Sequence, residues 1–513
     1  MTTVTKNPLD TLLFVRDGSL SARWNFPDAV GSSPQTPAGL GNAVTVTYSF
    51  LKQTPHYDTT INGFQPFNNE QINATRHAFA MIEQFARIDF VEVNSGGQIA
   101  LGNSAQANGQ GGYAYAPSYA YSFNDTAIVS TTELAAAGDV WMNKNGWRDG
   151  AWNSGREGYG TLIHEIGHVL GLKHPFESYS NGFILDSTLD TVAHSIMAYN
   201  AAPHSTLVNV TGTAMSYAWS FSQLLPYTLM PLDIEAVQAL YGANNTTNTE
   251  NTIYQWTTNA ELLETLWDAG GIDTIDCSNQ VLTCHIDLRA GYYSSIGLRQ
   301  TDTEIRSALE LPTWFDKALP ENVYNGLNNV ALAKGVAIEN AKGGSAHDKI
   351  TSNSLMNYLM GNAGNDTLNG AAGHDSLSGG SGNDILIGGT GQDILRGGTG
   401  ADIFDFNALN EMSNRLATAD RIDDFSRKTT TFSGDRIDLR TLDANINTST
   451  NNAFQFIGTA AFDKQDASAQ LRYTYNSKEN FIVLYGSVDA DTTAEFVIKI
   501  MGIRALNSTD FYL

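Results

Sequence analysis

With 513 residues, 42% of them hydrophobic, the chain is long enough for two or three domains and rich enough in apolar residues to bury a core. Its 53 acidic residues outweigh 29 basic ones, and a net charge of −24 makes nucleic acid and anionic membrane surfaces poor partners. Two cysteines are too few for a disulfide framework; Cys277 and Cys284, in "CSNQVLTC", fit either a local bridge or two free thiols.

The N-terminus "MTTVTKNPLDTLLFVRDG" lacks the basic-then-apolar order of a Sec signal. No apolar run approaches the ~20 residues that span a membrane. Residues 1–35, polar and punctuated by Gly and Pro, read as a loosely held leader. From 36 to 245 the pattern is mixed α and β. "AVTVTYSFL" (43–51) alternates like a strand, and "NNEQINATRHAFAMIEQFARI" (68–88) has helical apolar spacing, followed by strand-like "DFVEV". "GGYAYAP" (111–117) suits an exposed edge strand, and "PLDIEAVQALYGAN" (231–244) a short helix capped at Gly242.

The stretch "TLIHEIGHVLGLKHPFE" (161–177) carries the densest chemistry. On a helix, His164 and His168 at i and i+4 project from one face and can share a metal, with Glu165 placed to reach a bound water. Gly171 lets the chain turn back, bringing His174 in as a third ligand. Three imidazoles leave one position of Zn²⁺ open to water, the requirement of a catalytic site. "SIMAY" (195–199) follows and resembles the Met-turn of metzincins, in which Met197 would form a hydrophobic floor under the metal; a core methionine is the other reading.

From 343 to 405 the chain repeats every nine residues: "GGSAHDKIT", "SNSLMNYLM", "GNAGNDTLN", "GAAGHDSLS", "GGSGNDILI", "GGTGQDILR", "GGTGADIFD". Glycines permit a tight turn, and a short strand then points one apolar residue inward, so that only stacked units bury a core. Stacking also piles up carboxylates that need hard cations, and the unit resembles the calcium-binding nonapeptide of a parallel β-roll. The calcium-side residues are Gly344, Asp348, Gly361, Gly364, Asp366, Gly373 and Asp375, then Gly380, Gly382, Asp384, Gly389, Gly391, Asp393, Gly398, Gly400 and Asp402. Only the second unit has lost the pattern.

Together the zinc helix, "SIMAY", "LDIEAVQALYGAN", "WDAGGIDTIDCS", "GVAIENAKGG" and the repeats resemble the serralysins, secreted metzincin proteases with a calcium-loaded roll. The resemblance implies an α+β metzincin catalytic domain (36–245) followed by an all-β parallel β-roll (246–513), with 1–35 as a short propeptide. No cysteine precedes 277, so a cysteine-switch zymogen is excluded. The resemblance further implies one catalytic Zn²⁺ and several structural Ca²⁺ ions. It makes Tyr199 an extra zinc ligand that also assists the oxyanion, and Gly112, Tyr113, Ala114 and Tyr115 a strand that aligns extended peptide substrates. It places a further calcium site at Asp268, Gly270 and Asp273, although the partner segment reads "NTENT" where the family has "RTGDT".

The implied protein is an extracellular monomeric endopeptidase exported by a type I (ABC) machinery, with "STDFYL" at its end similar to that signal. A periplasmic proteinaceous inhibitor accompanies some members. The competing class is a non-enzymatic RTX adhesin or surface protein with a vestigial protease domain. Phe176, where the family has Gly, and 300–328, which reads as an inserted loop, depart from the family pattern.

Overall fold

The computed structural model describes residues 9–14, 22–33, 36–178, 184–429 and 433–513. They form two compact units, one of 1–249, 261–269 and 300–336, the other of 250–260, 270–299 and 337–513. This partition differs from a single cut at 245/246, because 261–269 and 300–336 fold with the first unit.

The first unit opens with α1 (Leu9–Leu12) and a 3-10 turn at Phe26–Ala29. Then come β1 (Val44–Phe50), α2 (Asn69–Phe85), β2 (Ile88–Glu92), β3 (Ile99–Ser104), β4 (Gly112–Ala114), β5 (Tyr119–Phe123), β6 (Ile128–Glu133) and β7 (Val140–Asn143). Helix α3 (Glu157–Val169), the hairpin β8 (Thr206–Thr213) and β9 (Ser216–Gln223), α4 (Pro231–Tyr241), α5 (Asp302–Ala308) and the paired parallel strands Glu264–Leu266 and Val330–Leu332 follow. Five strands make one sheet in the order β2-β1-β3-β7-β4, parallel except for the edge strand β4, which runs antiparallel to β7.

Helix α2 starts where Asn68 and Gln71 form a capping box, and it buries Ala74, Ala78, Met81, Ile82 and Phe85 on one face. Helix α3 packs on β4 and β7 and buries Leu162, Ile163, Ile166 and Val169, each worth about 1.5–3 kcal/mol relative to exposure. Its chain turns away at Gly171, whose φ of +95° suits a residue without a Cβ; a Cβ there would run into Ala22 O.

Two sequence expectations fail in this unit. The described parts of the leader are not loosely held. Arg23, Trp24, Phe26 and Ala29 are buried, Phe26 against Tyr119 and Tyr121, and the Arg23 guanidinium donates to Asn25 Oδ1 at 2.7 Å. Segment 300–328 is not a loop either. It forms α5 behind a Thr301–Glu304 capping box, and its Phe315 and Val323 share a small core with Val208 of β8.

The second unit is β-rich and coils as the repeats predict. One run of parallel strands includes Asn340–Lys342, Tyr358–Ala363, Ser376–Ser381, Ile394–Thr399 and Asp420–Ile422. The other includes Lys349–Thr351, Thr367–Asn369, Ile385–Ile387, Ile403–Asp405 and Arg436–Asp438. Successive nonapeptides feed alternate sheets, so Leu359, Leu377 and Leu395 stack in one row and Ile350, Leu368, Leu386 and Phe404 in the other, all fully buried. The degenerate unit keeps its place because Leu359 still fills the apolar position. Glycines make the bends: a Cβ at Gly382, where φ is +130°, would run into Gly364 O of the neighbouring coil. Cys277 and Cys284 are two free, buried thiols.

Candidate metal and catalytic site

Helix α3 places His164 and His168 on one face, and the Gly171 turn returns His174 to meet them. His164 Nε2 and His168 Nε2 each lie 3.1 Å from His174 Nε2. The far nitrogens are oriented separately: His164 Nδ1 lies 2.7 Å from Ile196 O, His168 Nδ1 2.9 Å from Leu172 O, and His174 Nδ1 3.1 Å from Glu177 Oε1. The first two contacts fix the planes of the His164 and His168 rings and favour a lone pair on their converging nitrogens. Burial, with neighbouring histidines adding to it, lowers His164 to about 3 and His168 to about 4, so both rings are neutral at pH 7. Three imidazole nitrogens on one point are the donor set of a Zn²⁺ site, and the residues fit the ion.

Glu165 is buried beside this point, and desolvation raises its carboxyl to about 8. A positive charge held by the imidazoles opposes that shift. The edge strand passes so close that a Cβ on Gly112 would lie 2.9 Å from Glu165 Cγ, which explains glycine there. Gly112, Tyr113 and Ala114 line a cavity of about 330 Å³ with His164, Glu165 and Tyr199. Tyr115 lies just beyond the strand, half exposed, its N–H bonded to Asp139 O. Tyr199 is exposed, and its hydroxyl sits 3.0 Å from His174 Nε2. Phe176 stacks on the His174 ring (centroids 5.0 Å apart, 7° between planes) and leans on Tyr199.

Met197 is fully buried under α3, and a Cβ on Gly167 would run into its sulfur. Sequence reasoning missed what holds this turn. Asp233 of α4, fully buried, accepts Ser195 Oγ–H at 2.6 Å, Ile196 N–H at 2.7 Å and Met230 N–H at 3.0 Å. Its position in the first turn of an apolar helix was the available signal. Phe14, which also lines the cavity, gave no signal at all.

In the roll, repeat carboxylates use one oxygen to bind the preceding coil. Asp384 Oδ1 accepts the Asp366 N–H at 2.8 Å, Asp393 Oδ1 that of Asp375 at 2.8 Å, and Asp402 Oδ1 that of Asp384 at 2.9 Å. The other oxygens of Asp366, Asp375, Asp384, Asp393 and Asp402 are buried with no hydrogen-bond partner among the described residues. Burial raises Asp366 and Asp402 to about 7 and Asp375 to about 8. Buried carboxylate oxygens without donors, facing glycine turns, fit Ca²⁺. The stacks run past the glycine repeats: Asp420 Oδ1 accepts the Asp393 N–H and Asp435 Oδ1 the Asp402 N–H. "DRI" in both places keeps the carboxylate-x-apolar spacing, a signal that was legible without the glycines. Asp268 lies in the first unit, Gly270 and Asp273 in the second; both carboxylates are buried.

Among the described residues no helix is long and apolar enough to cross a membrane. The family description "Peptidase M10 serralysin C terminal" matches residues 231–309 and 375–513, and "RTX calcium-binding nonapeptide repeat (4 copies)" matches 351–386. The chain is 30% identical over 348 residues to the metalloprotease AprA of Pseudomonas entomophila (strain L48), covering 62% of this chain and 60% of that protein. Serralysin C of Dickeya chrysanthemi is 33% identical over 341 residues, covering 60% and 59%. A serralysin of Photorhabdus sp. (strain Az29) is 31% identical over 329 residues, covering 59% and 57%. The matched region thus spans about three fifths of these relatives. Residues 231–309 and 375–513 thus match the description of a serralysin C-terminal region, residues 351–386 match RTX calcium-binding nonapeptide repeats, and the chain is similar to proteins named serralysin over about three fifths of its length.

Proposed function

We propose that this protein is a secreted zinc endopeptidase of the metzincin type, acting on extracellular proteins and held in shape by calcium in its roll. The observation that carries the reading is the meeting of three imidazole Nε2 atoms beside a buried glutamate in an open cavity. His164, His168 and His174 would hold the ion, with Tyr199 in reach of the same point. When bound, Zn²⁺ acidifies a water and polarises a carbonyl.

The chain's own groups do the rest. An extended peptide pairs with β4, the exposed edge strand, which places its scissile bond beside Glu165. Glu165 accepts the proton of the attacking water and delivers it to the leaving amine. Tyr199 donates its phenol proton as a hydrogen bond to the oxygen on which charge develops, and Met197 keeps the floor of the site apolar and packed. Export through a type I machinery to a medium rich in calcium suits a roll whose stacked carboxylates keep buried oxygens without donors. Extracellular protein substrates follow from the same reading.

The test is Glu165→Gln. We expect zinc content and melting temperature to stay near wild type while casein hydrolysis falls at least about 100-fold, the scale of general-base loss. Hydrolysis by the variant at the wild-type rate would sink the mechanism. Failure of the wild-type, zinc-loaded protein to cleave casein, with or without phenanthroline, would favour the non-enzymatic surface-protein reading instead.

A further inference from the structure

We infer that the N-terminal residues 9–14 and 22–33 are a permanent part of the metal site, bracing the turn that carries His174 and supplying Phe14 as a wall of the substrate cleft. The segment grips the turn at several points. Leu12 O accepts the Lys173 N–H at 2.7 Å, and Leu13 forms an antiparallel bridge with Leu172. Trp24 Nε1–H donates to Val169 O at 2.9 Å, and Ala22 O lies against Gly171 so closely that a Cβ there has no room. Tyr241 Oη–H donates to Leu170 O, and Trp24 N–H donates to the same hydroxyl. Every residue from Val169 to Lys173 is therefore bound or closely contacted from outside helix α3, and the N-terminal segment supplies most of those contacts.

The consequence for the site is geometric. His174 follows directly on Lys173 and has no helix to hold it, whereas His164 and His168 ride on α3. A third ligand on a turn gains its precision from what the turn is tied to, and loss of such supporting contacts typically weakens metal affinity by about 10–100-fold. Thr11, Leu12 and Leu13 are buried, as are Arg23 and Trp24. Removing them as a propeptide would uncover apolar surface at Leu172 and Leu240, and would cut the Val169 and Lys173 bonds together. We read this burial as retention of residues 9–14 and 22–33 in the active protein rather than their discard on activation.

Phe14, next after the bridged Leu13, lines the 330 Å³ cavity together with Glu165, Tyr113 and Glu177. Its ring gives the cleft an apolar side wall close to the general base. A substrate side chain beside the scissile bond that is itself large and apolar gains by contact with it. This specificity role rests on the endopeptidase reading above; the bracing role does not.

The experiment compares the full chain, Phe14→Ala and a deletion of residues 2–14. Zinc affinity is read by competition with a chromophoric chelator, and kcat and KM on peptides that differ only in one residue flanking the scissile bond. The deletion is expected to lose zinc affinity by about ten-fold or more. Phe14→Ala is expected to keep zinc affinity and to raise KM roughly ten-fold for peptides with large apolar side chains, leaving those with small ones unchanged. Intact mass of the active wild-type protein purified from culture is expected to include residues 9–14. An active form starting after Phe14, or a deletion that binds zinc as tightly as the full chain, overturns the brace. A uniform rise in kcat/KM across the peptide series in Phe14→Ala overturns the wall, since the ring would then be obstructing the cleft. If the deletion does not fold, the N-terminus of the active protein still decides the brace. Should no peptide be cleaved by the full chain, the zinc competition alone tests the brace while the proposed activity fails separately.

Discussion

Asp233 shows how one buried carboxylate links a distant helix to the three converging histidines. It accepts three donors, and one of them, the Ile196 N–H, belongs to the residue whose carbonyl meets His164 Nδ1. Desolvation still dominates and lifts its carboxyl to about 7. Asp233→Asn replaces one acceptor oxygen by an NH₂ group, which must face the Ser195 hydroxyl or one of the two backbone N–H groups. An unpaired buried donor costs about 1–3 kcal/mol. We expect that loss in urea unfolding of the first unit, together with weaker zinc retention, because the turn carrying Ile196 and Met197 shifts. Zinc affinity equal to wild type in a variant destabilised by that amount would separate Asp233 from the site.

At the scale of elements, legibility tracked regular spacing. Helices α2, α3 and α4 and the repeats declare themselves because their apolar residues recur at fixed intervals. His164 and His168 were readable for the same reason, and His174 because Gly171 marks the turn. The 300–336 segment was not readable as structure. Its Ile305, Leu309, Leu311 and Phe315 follow no sustained period, and their partner Val208 lies about a hundred positions earlier. Trp24 and Phe26 were hidden in the same way, two aromatics in a polar stretch whose partners, Val169, Tyr119 and Tyr121, come much later. The small core of Phe315, Val323 and Val208 is a satellite of the first unit, touching Tyr217 and Trp314 at its rim. Phe315→Ala removes a nearly fully buried ring and is expected to cost about 3 kcal/mol. The zinc competition should be unmoved, since none of the contacts around His164, His168 and His174 includes this cluster. A matching fall in zinc affinity would show the satellite to be part of the site.

Across the whole molecule, the net charge of −24 becomes a folding problem in the roll, where carboxylates are stacked and buried. Without a cation, each gains by keeping its proton. Asp366, Asp393 and Asp402 stand near 7 and Asp375 and Asp420 near 8, burial being the first cause in each, against about 3.9 in an unfolded chain. Between those limits the folded roll binds more protons than the unfolded chain, so its stability falls as pH rises from about 4 to about 8. Calcium reverses the balance, because it binds the ionised form and competes with protons for the same oxygens. Calcium-free protein in EGTA should therefore melt at progressively lower temperature from pH 5 to pH 8, with loss of β signal in far-UV circular dichroism. Millimolar calcium should raise the melting temperature most at pH 8 and least at pH 5. A calcium-free melting temperature that climbs across this range, or a calcium effect that is larger at pH 5, would mean that the buried carboxylates do not govern the stability of the roll.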